Sequence, residues 1–131
     1  FYASGRMAEE FHYPAPIDVG EAPTPGKSIL VELPNPPSGY AKDEAFVFTL
    51  EDGQVVGYFN RCSHVQVPLD MGDGDFLDRS GFIMCRVHGA RYDLVTGDAL
   101  LGPAVRGLTR LELALRDGRI IVTGWKKGRQ A

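Results

Sequence analysis

The chain has 131 residues, so one domain is expected, because domains commonly contain roughly 100–150 residues. Hydrophobic residues make up 44% of the chain and charged residues 24%, which is typical of a globular protein and excludes disorder for its bulk. The net charge is −3 and the basic residues are scattered, which excludes the charge pattern of a nucleic-acid-binding protein. No apolar run approaches the roughly 20 residues of a membrane helix, and no signal peptide pattern is present, so a cytoplasmic protein without a membrane anchor is predicted.

Residues 1–27 are predicted to form a lead-in ahead of the domain. Met7 offers a natural start, in which case residues 1–6 are a non-native remnant. Residues 14–37 hold seven of the nine prolines, and the run from Pro34 to Gly39 predicts a surface loop, because proline lacks the amide that a strand ladder needs. His12 is expected to be a surface residue of a mobile lead-in.

The domain itself is predicted to span residues 28–125 and to consist of short β-strands, with a basic tail at 126–131. Turn signals at Glu51-Asp52-Gly53 and Asp117-Gly118 predict two hairpins. Short strands at regular spacing predict an all-β fold, an antiparallel sandwich or barrel. The predicted strands are Ser28–Leu33, Ala45–Leu50, Gln54–Asn60, Phe82–Met84, Arg91–Leu94, Leu108–Leu115 and Arg119–Thr123.

Both cysteines and two of the three histidines fall into two short motifs, Cys62-Ser63-His64 and Cys85-Arg86-Val87-His88. A disulfide between the cysteines would leave both histidines unexplained and is uncommon in the cytosol. Zinc accepts this donor set, but zinc-finger motifs pair cysteine with cysteine and histidine with histidine. One sulfur and one nitrogen on each loop suits a two-iron cluster in which one iron takes both thiolates and the other both imidazoles.

This pattern resembles the Rieske-type iron–sulfur proteins. The resemblance implies a Rieske fold, with an antiparallel β-sandwich or barrel as its base and a small cluster-binding subdomain at about residues 61–104. It also implies a [2Fe–2S] cluster whose inner iron is bound by Cys62 and Cys85 and whose outer iron, near the surface, is bound by His64 and His88. The gap between the motifs is longer than usual in the family, which predicts an enlarged turn from Gly72 to Ser80. The residues that carry the resemblance are Cys62-Ser63-His64, Pro68-Leu69, the run from Cys85 to Asp93 including Gly89, Thr96-Gly97, and the covering loop Gly102-Pro103-Ala104.

Tyr92 occupies the place where a relative supplies a hydroxyl to the cluster, but it can equally be a core aromatic residue, and both interpretations stay open. Only His12 remains for a second metal site, so no catalytic centre and no small-molecule substrate are predicted. The resemblance instead implies a soluble ferredoxin that carries electrons from a reductase to a terminal oxygenase. Arg61, Arg86 and Arg91 are candidate docking cations. The alternatives are a Rieske-fold small subunit of a larger oxidoreductase, such as nitrite reductase, and a zinc-loaded structural module.

Overall fold

The structure is a computed structural model that describes residues 10–37, 39–61, 83–84, 91–101 and 107–128. All regular elements within these ranges are strands, which confirms the all-β prediction. In chain order they are β1 (Glu10–Glu21), β2 (Ser28–Pro34), β3 (Lys42–Thr49), β4 (Val55–Phe59), β5 (Ile83–Met84), β6 (Arg91–Tyr92), β7 (Ala99–Leu101), β8 (Arg110–Arg116) and β9 (Arg119–Lys126).

The strands form two antiparallel sheets. The larger has six strands in the order β1-β9-β8-β4-β3-β2, and the smaller has three in the order β5-β6-β7. Both predicted hairpins, β3–β4 and β8–β9, are confirmed. Asp117 and Gly118 have φ values of 52° and 77°, the left-handed pair that a tight two-residue hairpin turn requires. Within the described ranges, no helix is long and apolar enough to cross a membrane.

Strand β1 was not predicted, because residues 1–27 were expected to form a proline-rich lead-in ahead of the domain. It pairs with β9 as an edge strand of the larger sheet, and Pro14 and Pro16 fall where the register is interrupted between His12 and Ile17. Edge strands tolerate proline, since one side of the strand forms no ladder. His12 is exposed, as expected, but it lies on this strand opposite Gly124 and does not belong to a mobile lead-in. At the other end of the chain, Lys126 is the last residue of β9, where a tail was predicted to begin.

The larger sheet curls around a hydrophobic cluster that we call the base core. The hydroxyl of Tyr13 on β1 donates a hydrogen bond of 2.6 Å to the carbonyl of Pro34 on β2, so the two edge strands meet at one end of the sheet. Nearby, the indole nitrogen of Trp125 donates to the carbonyl of Asn35 at 2.8 Å. All six strands supply buried members of the base core, which are Tyr13, Leu33, Ala45, Val47, Phe59, Leu111, Ile120, Val122 and Trp125.

A second cluster, the bridging core, lies on the opposite face of β3 and β4. Successive side chains of a strand point to opposite faces, so Ala45 and Val47 enter the base core while Phe46 and Phe48 enter the bridging core. The smaller sheet contributes Ile83 and Tyr92 to the same cluster. Strands β3 and β4 are therefore buried on both faces, and the smaller sheet is attached to the larger one through side chains. The members of the bridging core are Phe46, Phe48, Val56, Tyr58, Ile83, Tyr92 and Leu108.

Candidate metal centre

Two chain segments carry the predicted ligands, and both leave the framework at strand ends. The first motif begins directly after Asn60 and Arg61, which follow β4, and the second begins directly after β5 and ends shortly before β6. The following predicted residues lie outside the described part of the chain: Cys62, His64, Cys85, Arg86, His88, Gly89, Gly102, Pro103 and the enlarged turn from Gly72 to Ser80. In the part that is described, no three His, Cys, Asp or Glu side chains are close enough to hold a metal ion.

The bridging core brings the bases of the two segments together. Tyr58 precedes the first segment on β4, Ile83 precedes the second on β5, and Tyr92 follows it on β6. All three side chains are fully buried in the same cluster. The residues that flank the two segments are therefore fixed to one hydrophobic cluster on the same face of the larger sheet.

The base of the first segment is bound to the beginning of β3. Asn60 is 1% exposed, its amide donates to the carbonyl of Glu44 at 2.9 Å, and its side-chain nitrogen donates to Glu44 Oε1 at 3.2 Å. Arg61 forms a two-pronged ion pair with Asp43, with Nε 2.8 Å from Oδ2 and Nη2 3.2 Å from Oδ1. The guanidinium also lies over the ring of Tyr40, 5.2 Å from the ring centroid. Hydrogen bonding to Asp43 raises the pKa of Arg61 above its ordinary value.

Sequence reasoning missed the role of Asp43 and Tyr40. They lie well before the cysteine motif, and a single aspartate and a single tyrosine carry no spacing signal. Arg61, which was predicted as a docking cation, has a side chain only 24% exposed and is already paired with a carboxylate. The hairpin prediction was the available clue. Pairing Ala45 with Phe59 places the residues before Ala45 beside those after Phe59, so Asp43 lies beside Arg61.

The base of the second segment is fixed by a turn at residues 93–98, which ends the predicted strand Arg91–Leu94 at Tyr92. The Asp93 carboxylate accepts hydrogen bonds from the amides of Val95 and Thr96 at 2.8 and 2.9 Å. Gly97 closes the turn with a φ of 79°, and its carbonyl accepts from the amide of Leu108. The Thr96-Gly97 pair, which carried part of the family resemblance, therefore has a structural role in this turn.

Tyr58 connects the larger sheet to this turn. Its hydroxyl donates to the carbonyl of Leu94 at 2.8 Å, and burial raises its pKa well above the ordinary value. Tyr92, at the end of β6, is fully buried in the bridging core, which fits a core aromatic residue and leaves the proposed hydroxyl contact with the cluster as a prediction. Arg91 is half-buried at the start of β6, opposite Met84 and Leu101.

The predicted donor set fits an iron–sulfur cluster. Two cysteines and two histidines supply two thiolates and two imidazoles, which is the set that a Rieske centre needs. A family model described as the Rieske [2Fe–2S] domain matches residues 31–112, a range that contains both motifs and most of the framework around them. The chain therefore belongs to the Rieske [2Fe–2S] domain family, and its cofactor is a [2Fe–2S] cluster.

Known proteins similar to this chain include the 3-phenylpropionate/cinnamic acid dioxygenase ferredoxin subunit of Photorhabdus laumondii, with 32% identity over 72 residues. That alignment covers 55% of this chain and 66% of the subunit, slightly less than two thirds of its length. Among solved structures, the ferredoxin of carbazole 1,9a-dioxygenase from Nocardioides aromaticivorans IC177 matches with a TM-score of 0.60 and 26% identity, over 82% of this chain and 96% of that one. A complex of reduced oxygenase and oxidized ferredoxin in carbazole 1,9a-dioxygenase matches with a TM-score of 0.61 and 25% identity, over 86% of this chain and 95% of that one. These likenesses confirm the Rieske fold.

Proposed function

We propose that this protein is a one-electron carrier that accepts an electron from a reductase and passes it to a terminal, ring-hydroxylating oxygenase. The match to the ferredoxin of carbazole 1,9a-dioxygenase carries the proposal, because it covers nearly the whole of that ferredoxin. The dioxygenase ferredoxin subunit from Photorhabdus supports the same role. The structure that contains both oxygenase and ferredoxin supports an oxygenase as one partner. The cytoplasm is proposed as the compartment.

Four side chains are proposed to hold the cluster, with Cys62 and Cys85 on the inner iron and His64 and His88 on the outer iron. Their support is the donor set and the framework, since both motifs adjoin strands packed on the bridging core. When bound, the cluster supplies reversible one-electron chemistry, at a potential that imidazole ligands raise relative to an all-cysteine site. Gly89, Gly102, Pro103 and Tyr92 are proposed to surround it.

The protein's own residues provide ligation, exclusion of water and a proton site. The second nitrogen of His64 and of His88 can hold or release a proton, so electron uptake is expected to depend on pH. The same two histidines are proposed as the edge that contacts redox partners. Arg86 and Arg91 are proposed as docking cations, whereas Arg61 adds little net charge because Asp43 neutralises it. Docking through cations predicts association that slows as salt rises.

The test is an electron paramagnetic resonance spectrum of the dithionite-reduced protein, with iron, sulfide and zinc measured on the same sample. We expect a rhombic Rieske signal, iron and sulfide in equal amounts, and rapid reoxidation by a purified ring-hydroxylating oxygenase. Zinc without sulfide would overturn the redox function and favour a structural module. A Rieske signal in a protein that purifies only within a larger complex would favour the alternative of an oxidoreductase subunit, and would overturn the role of a mobile carrier.

A further inference from the structure

The pairing of β3 with β4 continues past the end of its backbone ladder. The last backbone pair is Ala45 with Phe59, and in an antiparallel ladder the next two pairs would be Glu44 with Asn60 and Asp43 with Arg61. Asn60 is bound to Glu44 through its backbone amide and its side chain, and the Arg61 side chain is bound to the Asp43 carboxylate. One backbone hydrogen bond, together with contacts of the Asn60 and Arg61 side chains, thus extends the strand pair by two residues, up to the residue before Cys62.

We propose that Asp43 and Arg61 form a positioning pair that fixes where the first ligand segment leaves the sheet, and thereby sets how firmly the cluster is held and at what potential it is reduced. This inference depends on the proposed assignment of Cys62 as a ligand. A guanidinium that meets a carboxylate through two parallel hydrogen bonds has one defined orientation, which a single-point contact does not give. Because Arg61 is covalently joined to Cys62, fixing Arg61 restricts the start of the segment.

The surroundings of the Arg61–Asp43 pair shield it from solvent and hold the Asp43 carboxylate in place. The Arg61 and Asp43 side chains are 24% and 11% exposed, so the pair is screened by solvent far less than an ordinary surface ion pair. The ring of Tyr40 covers the guanidinium, while Tyr40 itself is 61% exposed. Asp43 is held in turn by the sheet, where it lies opposite Leu33 of β2. The carboxylate is therefore a fixed point to which Arg61 binds.

A comparable ion pair elsewhere in the chain provides a matched control. Asp18 on β1 and Arg119 on β9 also form an Arg–Asp ion pair, with Nε 2.8 Å from Oδ2 as in the Arg61–Asp43 pair but through this single contact. Their side chains are about half exposed and join the outer strands of the larger sheet, which carry neither ligand motif. Removing this pair changes an Arg–Asp contact without changing the base of either ligand segment.

The experiment compares Asp43→Asn, Arg61→Lys and the control Asp18→Asn in the cluster-loaded protein. The measurements are the rate at which a chelator removes iron, the reduction potential, and the g-values of the reduced cluster. Removing a residue that orients a metal ligand typically weakens metal binding by about tenfold to a hundredfold, so we expect Asp43→Asn to release iron faster by that factor. Arg61→Lys keeps the charge and loses the two-pronged geometry, so it should also release iron faster, with changed g-values, while Asp18→Asn stays at the wild-type rate.

Charge alone predicts a different result. Asp43→Asn leaves a cation beside the cluster and should raise the potential, but Arg61→Lys would then change nothing. Wild-type iron release and g-values in both Asp43→Asn and Arg61→Lys would overturn the positioning role while leaving the electron-carrier function intact, provided the wild type holds its full iron and sulfide. If Asp43→Asn does not fold, Arg61→Lys alone decides. A wild type without a cluster would overturn both the ligand assignment and the positioning role.

Discussion

The two sheets of this molecule are stabilised in different ways. The larger has strands of five to twelve residues, paired by long backbone ladders and closed around the base core. Within the described residues, the smaller has strands of two or three residues, and β5 pairs with β6 there through Ile83 with Tyr92 and Met84 with Arg91. Isolated short hairpins are marginally stable in water, so the smaller sheet needs support from outside its own ladder.

That support has two sources in this fold. One is the bridging core, where Ile83 and Tyr92 pack against residues of the larger sheet, and the hydroxyl of Tyr58 binds the carbonyl of Leu94. The other is the cluster, whose proposed ligands flank β5 and β6. We therefore expect the larger sheet to fold without the cofactor, and the smaller sheet, whose strands adjoin the proposed ligands Cys85 and His88, to gain stability by binding it.

Removal of the cluster should reveal the difference in stability between the two sheets most clearly. In the apoprotein, we expect the amides of β5 and β6 to exchange faster by about two orders of magnitude. The reason is that losing a ligand present at a concentration of a hundred times its Kd removes about 2.7 kcal/mol of stability. The amides of β8 and β9 should keep their protection. Hydrogen exchange followed by mass spectrometry on loaded and apo samples measures both sheets at once.

The variant Cys85→Ser provides a second route to the same state and should reproduce the apo pattern. Equal loss of protection in β5 and in β9 would contradict a self-supporting larger sheet. Unchanged protection in both would show that the bridging core alone holds the smaller sheet.

Two glycines with nearly the same backbone test the packing between the sheets. Gly97 has a φ of 79° and Gly118 a φ of 77°, and an alanine in this left-handed region costs about 1–2 kcal/mol at either position. A Cβ at Gly118 would meet nothing within 4 Å, whereas one at Gly97 would lie 2.5 Å from Cε1 of Tyr58. Tyr58 is fully buried and held by its hydroxyl, so overpacking should add about 1–3 kcal/mol at Gly97.

Urea unfolding of Gly97→Ala and Gly118→Ala measures this difference directly. Gly97→Ala should also speed iron release, because the turn it distorts leads into the smaller sheet, and Gly118→Ala should not. Equal losses of stability in the two variants would mean that Tyr58 moves aside at little cost, and the bridging core would then be a softer connection than its burial indicates.

The sequence predicted the fold through its hairpins and the candidate site through its ligand motifs. Alternating residues and turn signals at Asp52-Gly53 and Asp117-Gly118 are local, so they located the β3–β4 and β8–β9 hairpins of the larger sheet. The pairing of Cys62 with His64 and of Cys85 with His88 is also local, and the chemistry of the donors led to the correct cofactor. Strand β1 was missed because its prolines oppose a strand by propensity, and only the edge position and the interrupted register accommodate them.

Features that depend on contacts between distant residues could not be predicted in this way. The pairing of Arg61 with Asp43 and the hydrogen bond from Tyr58 to Leu94 arise from how β3, β4 and the 93–98 turn meet in space. Arg61 illustrates the difference, since its position beside Cys62 suggested a docking cation and its contacts place it in an ion pair. The four ligands remain a prediction from the motifs, and their assignment to inner and outer iron remains what the family resemblance implies.

The smallest effect concerns Tyr13, the residue that joins the two edges of the larger sheet. Burial raises the pKa of Tyr13 from 10.0 to about 12, so the folded protein holds this proton more tightly than the unfolded chain. Its contribution to stability is complete below pH 10 and is lost as the pH rises toward 12. We expect the free energy of unfolding of the wild type, measured in urea, to fall over that window. That of Tyr13→Phe should fall less steeply and start about 1 kcal/mol lower, because the carbonyl of Pro34 loses its donor. Tyr40→Phe, at a side chain that is 61% exposed, is the control. If the stability of Tyr13→Phe fell with pH as steeply as that of the wild type, Tyr13 would not be the group that loses its proton. The edge of the larger sheet would then be better solvated than its closure around the base core implies.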